Sequence, residues 1–464
     1  MSIDLDIDGL VEPYRTKVVE RIRLLSRTDR ERVLREASYS VVHLASADVF
    51  VDLITDSGTG AMSDEQWAGM MRGDEAYMGS RNFFHFQETV QEILGYPHVI
   101  PTHQGRAAEH IVMELLVEPG QIVLNNTHFD TTRAHVEHRK ALPVDLIGDA
   151  LWDFERAEPF KGNFDLARLQ TALERYHDRI AFITITILNN FACSSPVSMA
   201  NIREVRRLAD QFGVAVYFDA CRFAENAHFI KAREPGYGDR SIPEIVREMM
   251  SHGRGCWMSA KKDGLVNIGG FIAVDDAALA RRCQERLVLY EGFPTYGGLA
   301  GRDLEAMAVG LEEVVDEAYL RYRLRTAEYL GEKLEAAGVG FVKPTGGHAV
   351  YLDARTVLPH LPVEQYPAWA LCNALYLEGG IRGVEIGSVM FGKRLDDGSE
   401  TFHTMELVRL AFPRRTYTQA HFDYVAEVIA DLKQRAGAVR GIRITRQPPL
   451  LRHFTCECEW VGQA

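Results

Sequence analysis

The residues best suited to chemistry are Asp219, which ends the run VAVYFDACR, and the adjacent lysines Lys261 and Lys262 of SAKKDG. A carboxylate at a strand end and an amine on a later loop suit a flat cofactor that carries a charged ring nitrogen and condenses with a lysine. Pyridoxal 5′-phosphate is such a cofactor. Arg222 adds a guanidinium close to the same strand end. Taken singly, Asp219 reads more readily as one half of an ordinary ion pair, and the two lysines as a solvated charge pair.

Three further segments extend the set. Thr102, His103, Gln104, Gly105 and Arg106 lead into an amphipathic stretch. Free amides at a helix start, a glycine that permits close approach and an arginine together form a phosphate cradle. Phe129, which follows IVLNN and His128, could stack on a flat heterocycle, and Asn190, just past ITITIL, could donate to a phenolate oxygen. Each has a plain structural alternative: a polar loop capping a helix, a core phenylalanine, a turn asparagine. Their order along the chain is more telling than any one of them.

Such groups need a scaffold that gathers strand ends. From about residue 95 to residue 275, short β-branched runs alternate with amphipathic segments, the pattern of βα units around a largely parallel sheet. The clearest strands are expected over 122–125, 181–188 and 214–218. Ligands bind beyond the carboxyl edge of such a sheet, which directs attention to segments 125–133, 189–195 and 219–222. Helical periodicity over 302–337 predicts one long connecting helix, and GVGFVKPTGGHAVYLDA reads as two strands around a turn, opening a smaller α+β region. The expected division is an N-terminal arm with part of the small domain (1–50), a large cofactor domain (51–320) and a small domain (321–464).

Composition narrows the class. With 464 residues, 46% apolar and 25% charged, the chain supports a sizeable folded core, and a net charge of −13 argues against a nucleic-acid or anionic-membrane surface. Seven scattered cysteines without a C-x-x-C pair fit a reducing compartment. MSIDLDIDGL lacks the basic flank and apolar stretch of a secretory signal, so the expected location is the cytoplasm. No G-x-G-x-x-G follows the first strands, which disfavours a dinucleotide-dependent dehydrogenase.

The segments HQGRAAE, HFDTTRAH, YFDACRFAENAHFIK, MSAKKDGLVNIGG, EGFPTYGGLAGRD, GIRGVEIGS, VRLAFPRRTYTQAH and LLRHFT resemble those of the β-eliminating lyases over nearly the whole chain. Members of that family expel an indole or a phenol from an aromatic amino acid. The resemblance implies the aspartate-aminotransferase-like, type I pyridoxal-phosphate fold. It implies Lys262 as the Schiff-base lysine, with Lys261 beside the phosphate and cation region. Gln104, Gly105, Arg106 and Ser259 would hold phosphate, Phe129 would stack on the ring, Asn190 and Arg222 would lie near the phenolic oxygen, and Asp219 would pair with the ring nitrogen. Arg409, with Thr55, would bind the substrate, the arginine taking its α-carboxylate as a planar fork.

The same resemblance implies that Tyr77 reaches across a subunit interface within a homotetramer built from dimers. It also implies that Gly58, Glu75 and Asn267 bind a potassium-like cation. Three pocket positions follow the indole-expelling pattern: Ile386 where the phenol-expelling pattern has arginine, Asp130 where it has threonine, and His453 where it has phenylalanine. These point to β-elimination of L-tryptophan, with Lys262, Tyr77, Asp130 and His453 as the proton-handling groups. A phenol-expelling lyase, another amino-acid β-lyase and an aminotransferase of the same fold are the alternatives. One departure stands out: Ala192, Cys193, Ser194 and Ser195 occupy a loop that in the family carries paired glycines before PVS.

Overall fold

The computed structural model describes residues 11–395, 397–448 and 452–462. The chain forms two compact units, one of residues up to Asp56 joined with those from Arg325 onward, the other Ser57–Leu324.

The Ser57–Leu324 unit is built on a sheet of β1 (His98–Thr102), β2 (Ile122–Asn125), β3 (Leu142–Asp145), β4 (Ile180–Thr186), β5 (Val216–Asp219), β6 (Gly255–Ser259) and β7 (Gly270–Val274). The spatial order is β1-β7-β6-β5-β4-β2-β3. Only β7 runs antiparallel to its neighbours. Alternate residues point to opposite faces, so Leu124, Ile183, Phe218 and Met258 enter one apolar cluster, while Val123, Phe182, Tyr217 and Trp257 enter another. Helices Met199–Gln211, Phe223–Arg233 and Ile242–Ser251 cover the first face, and Gly105–Leu116 and Ala277–Tyr290 the second. Burial on both faces explains why these strands read as continuous apolar runs rather than alternating ones. Each large side chain withdrawn from water contributes about 1.5–3 kcal/mol.

After β3 the chain crosses to the other side of β2, so the strand order reverses between β2 and β4. The carboxyl ends of β2, β4, β5 and β6 then gather the segments that follow Asn125, Thr186, Asp219 and Ser259 at one edge, the place where an open α/β sheet takes its ligand.

In the other unit, β8 (Ala349–Asp353), β9 (Val384–Ile386) and β10 (Leu407–Ala411) form an antiparallel sheet in the order β9-β10-β8. Helices Pro367–Gly379 and Gln419–Gln434 complete its core, which includes Trp369, Leu371, Val408, Leu410 and Phe422.

Two expectations need correction. The long helix over 302–337 is two helices, Gly301–Val314 and Glu317–Ala336. The break lies at Val315–Asp316, where the Asp316 carboxylate accepts from the Tyr319 amide at 2.8 Å and starts a new helix. In GVGFVKPTGGHAVYLDA only β8 forms a strand, and the first half contributes a single bridge between Phe341 and Leu352. Pro344, Gly346 and Gly347 deny that segment the donors and stiffness of a ladder.

Candidate active site

The candidate residues fall into two groups, one in each unit. In the Ser57–Leu324 unit, Asp219 closes β5 opposite Thr186 of β4 and Trp257 of β6. It is 8% exposed, and Oδ1 accepts from the Cys221 amide at 3.3 Å. No cation pairs with it among the described residues. A buried carboxylate without a counter-ion fits a site whose positive partner is a ligand's ring N–H.

Ser259 ends β6, and its amide donates to Cys221 Sγ at 3.2 Å. Lys261 and Lys262 lie on the turn that follows, which three contacts hold in place. The Gly58 amide donates to the Lys261 carbonyl at 2.7 Å, and the Asp263 amide to the Cys221 carbonyl at 3.3 Å. The fully buried Asp263 carboxylate accepts from the Ala224 amide at 2.9 Å, at the start of helix Phe223–Arg233. Asp263 therefore fixes the backbone that presents Lys262. The Lys262 amine makes no hydrogen bond or ion pair among the described residues. Burial, then Asp219, lift the Cys221 thiol to about 12, while Lys262 opposes the rise.

Gly105 is the first residue of helix Gly105–Leu116, with Gln104 as its extended N-cap. Amides in a helix's first turn have no intrahelical acceptor and point outward. Burial, then Lys262 and Arg106, push Lys261 below the usual lysine range. Lys261, on the turn after β6, feels two other cations, one of them on the first turn of helix Gly105–Leu116, a charge set suited to a phosphate. The residues present thus fit pyridoxal phosphate at both its ring nitrogen and its phosphate.

Phe129 directly precedes helix Asp130–His138 and stacks on Phe191 at 6.0 Å between centroids. Asp130, at the positive end of that helix, accepts from the Thr131 amide at 2.6 Å. Asn190 is buried, its carbonyl accepting from the Cys193 amide at 3.1 Å, and Arg222 Nη1 donates to the Leu188 carbonyl at 3.2 Å. Cys193 and Ser194 adopt φ of 52° and 61°, the left-handed region that glycine favours. The loop takes this conformation without glycines, and burial raises the Cys193 thiol to about 12, which disfavours the thiolate a nucleophile needs.

Tyr77 is 64% exposed, accepts from the Tyr296 hydroxyl at 3.2 Å and packs edge-on against Phe293. Among the cation candidates, the Asn267 side-chain amide donates to the Gly58 carbonyl at 3.0 Å. Glu75 pairs instead with Arg302 at 3.2 Å, so the structure brings together two of the three.

In the other unit, Arg409 of β10 faces Tyr351 and Val384 across the sheet. Its Nη2 donates to the Ile54 carbonyl at 2.8 Å, while its Nε is buried without a partner among the described residues. Thr55 adjoins Ile54 and is half-buried. Ile386, at the end of β9, is 1% exposed. His453 is buried with both ring nitrogens unpartnered among the described residues, and burial pushes it down to about 4.

Sequence reasoning missed Glu109, Cys221 and Asp263. Glu109 lies on the buried face of helix Gly105–Leu116 with Gly105, Ala108 and Val112. It accepts from Thr131 Oγ1 at 2.8 Å and from Thr132 Oγ1. Burial, then the Asp219 charge, raise it to about 7. A carboxylate at helical spacing on an apolar face was the available signal.

A mainly parallel sheet that gathers Asp219, the Lys262 turn and the start of helix Gly105–Leu116 at one edge has the type I pyridoxal-phosphate fold, and the chain is a lyase that breaks a carbon–carbon bond. It belongs to the β-eliminating lyase family, whose profile matches residues 52–428. Relatives include a tryptophanase of Salinibacter ruber, 57% identical over 97% of this chain and 95% of its own length. A tryptophanase of Rhodobacter capsulatus is 54% identical over 97% and 99%. A tyrosine phenol-lyase of Symbiobacterium thermophilum is 48% identical over 97% and 98%. Among solved structures, a serine palmitoyltransferase of S. paucimobilis with PLP and myriocin bound matches at 13% identity and a TM-score of 0.59, over 89% of this chain and 97% of that one.

Proposed function

We propose that the protein converts L-tryptophan and water to indole, pyruvate and ammonia, using pyridoxal phosphate and a potassium-like cation. The observation that carries the cofactor part is the buried Asp219, without a cationic partner among the described residues, at the end of β5 next to the strand that leads into the Lys262 turn. Tryptophan as substrate is supported by Ile386, Asp130 and His453, and by tryptophanases among the relatives of highest identity.

When bound, pyridoxal phosphate supplies a conjugated sink for the electrons left at the substrate's Cα. Gln104, Gly105, Arg106, Ser259 and Lys261 hold its phosphate, and Phe129 lies along its ring. Asn190 and Arg222 serve its phenolic oxygen, and Asp219 keeps its ring nitrogen protonated. Arg409 receives the substrate carboxylate as a bidentate fork, with Thr55 beside it, and Lys262 removes the α proton. A proton must then reach C3 of the indole, because the indole anion is a poor leaving group. His453 is neutral at pH 7, so it meets the indole N–H as an acceptor, and the acid falls to Tyr77 or Asp130.

Tyr77 is half of an exposed Tyr77–Met78 pair, which supports a surface completed by a second copy and a tetramer with shared sites. Oxygens of Gly58, Asn267 and Glu75 suit a hard monovalent cation, with Glu75 leaving Arg302 to join them. The cytoplasm is the proposed location, and no helix among the described residues is long and apolar enough to cross a membrane.

Incubation of the purified protein with pyridoxal phosphate and tryptophan in potassium buffer, assayed for indole and pyruvate, tests the reading. Phenol from tyrosine with no indole from tryptophan would reassign the leaving group. Replacement of potassium by sodium tests the cation.

A further inference from the structure

We infer that Arg452 is a positioning residue for leaving-group selectivity, holding the backbone just after Ile386 to the short helix that carries His453. This rests on the proposed function.

Arg452 is 6% exposed and immediately precedes His453 in helix Arg452–Thr455. Its Nε donates to the Val389 carbonyl at 2.8 Å, and its Nη2 to the Ser388 carbonyl. Nη1 reaches Gln447 Oε1 at 2.9 Å and also Glu400. Both carbonyls belong to helix Ser388–Phe391, which begins two residues after Ile386. A β-carbon on Gly392, which ends that helix, would clash with the Ser388 and Thr401 carbonyl oxygens and stand 2.7 Å from Nη2, so backbone and guanidinium together leave no room for a side chain there.

The amide end of the same helix is pinned by two buried acids. Glu385 accepts from the Val389 and Met390 amides at 2.9 and 3.1 Å, and Glu406 from the Ser388 amide at 3.1 Å. Ile386 lies between Glu385 and Gly387, so its strand end is held by those acids and, through the helix, by Arg452. His453 has no hydrogen bond of its own to orient it among the described residues, so its place depends on the neighbour that anchors its helix. A planar fork can serve two carbonyls and a carboxylate together; a lysine ammonium in that space cannot reproduce the set.

The test compares wild type and Arg452→Lys on tryptophan and on S-methylcysteine, a small β-substituted amino acid that needs no aryl pocket. Bound-cofactor absorbance and calorimetric affinity for indole-3-propionate are read alongside. The expected result is a fall of about a hundredfold in kcat/KM for tryptophan, carried largely by KM, as for a displaced positioning group. Indole-3-propionate should bind more weakly, with S-methylcysteine turnover and absorbance unchanged. Equal losses on both substrates, or none on tryptophan, overturn the inference. Should Arg452→Lys not fold, Glu400→Gln, which weakens the hold on Nη1 and leaves the pocket residues untouched, is expected to shift selectivity the same way, and an unaltered ratio there overturns it too. A wild type inert toward tryptophan would sink the functional reading itself, independently of Arg452.

Discussion

A β-carbon placed on Gly105 would stand 2.5 Å from the β-carbon of Ser259, closer than two carbons can pack. The start of helix Gly105–Leu116 and the end of β6 are thus in backbone contact, and Gly105 is required by proximity. Gly105→Ala is expected to push them apart at about 1–3 kcal/mol. Titration of the apoprotein with pyridoxal phosphate should show weaker binding, and an unchanged affinity would detach this contact from the cofactor.

Lys262→Ala should abolish turnover and the near-visible absorbance of lysine-bound cofactor while leaving circular dichroism intact. Persistence of both would place the reactive amine on another lysine. Asp219→Asn keeps the shape but removes the charge, so the cofactor should still bind while elimination falls by about a hundredfold or more.

Glu109 gives a pH prediction. Its folded-state value of about 7 lies above the ordinary 4.5, so the folded protein holds a proton that the unfolded chain releases. Its contribution to stability is complete below about 4.5 and is lost as pH rises toward 7, an effect on the order of 3 kcal/mol. Glu109→Gln should remove that loss, so denaturant midpoints of variant and wild type diverge between pH 4.5 and 7 and then run parallel. Parallel curves throughout would mean that Glu109 stays ionised.

Ile386→Arg tests the leaving group. Burying a guanidinium at a position only 1% exposed will lower stability, so the informative quantity is the ratio of tryptophan to tyrosine turnover. The ratio should fall. If it holds, selectivity resides elsewhere.

Strand β2 was legible to the residue because Ile122, Val123 and Leu124 form a run too short for a helix, preceded by Pro119 and Gly120 and closed by the polar Asn125. β4 stops at Thr186, short of the expected residue 188, because Leu188 turns to φ 50° and leaves the ladder. β5 starts at Val216, later than the expected 214, because the Val214 amide bonds back to Ala209 at the end of the preceding helix. Periodicity over 302–337 continued across a break that only the Asp316 cap reveals.

Residue types and order were enough to determine the family and the fold class, and they single out Lys262 and Asp219 for the proposed roles, because that chemistry requires particular functional groups at particular strand ends. Only folding decided that Glu109 is buried within reach of the Asp219 charge, that Asp263 anchors the Lys262 turn, and that Arg452 ties helix Ser388–Phe391 to the helix bearing His453. The physical reason is that burial and electrostatic coupling depend on which distant segments are brought into contact, and local pattern carries no record of those neighbours.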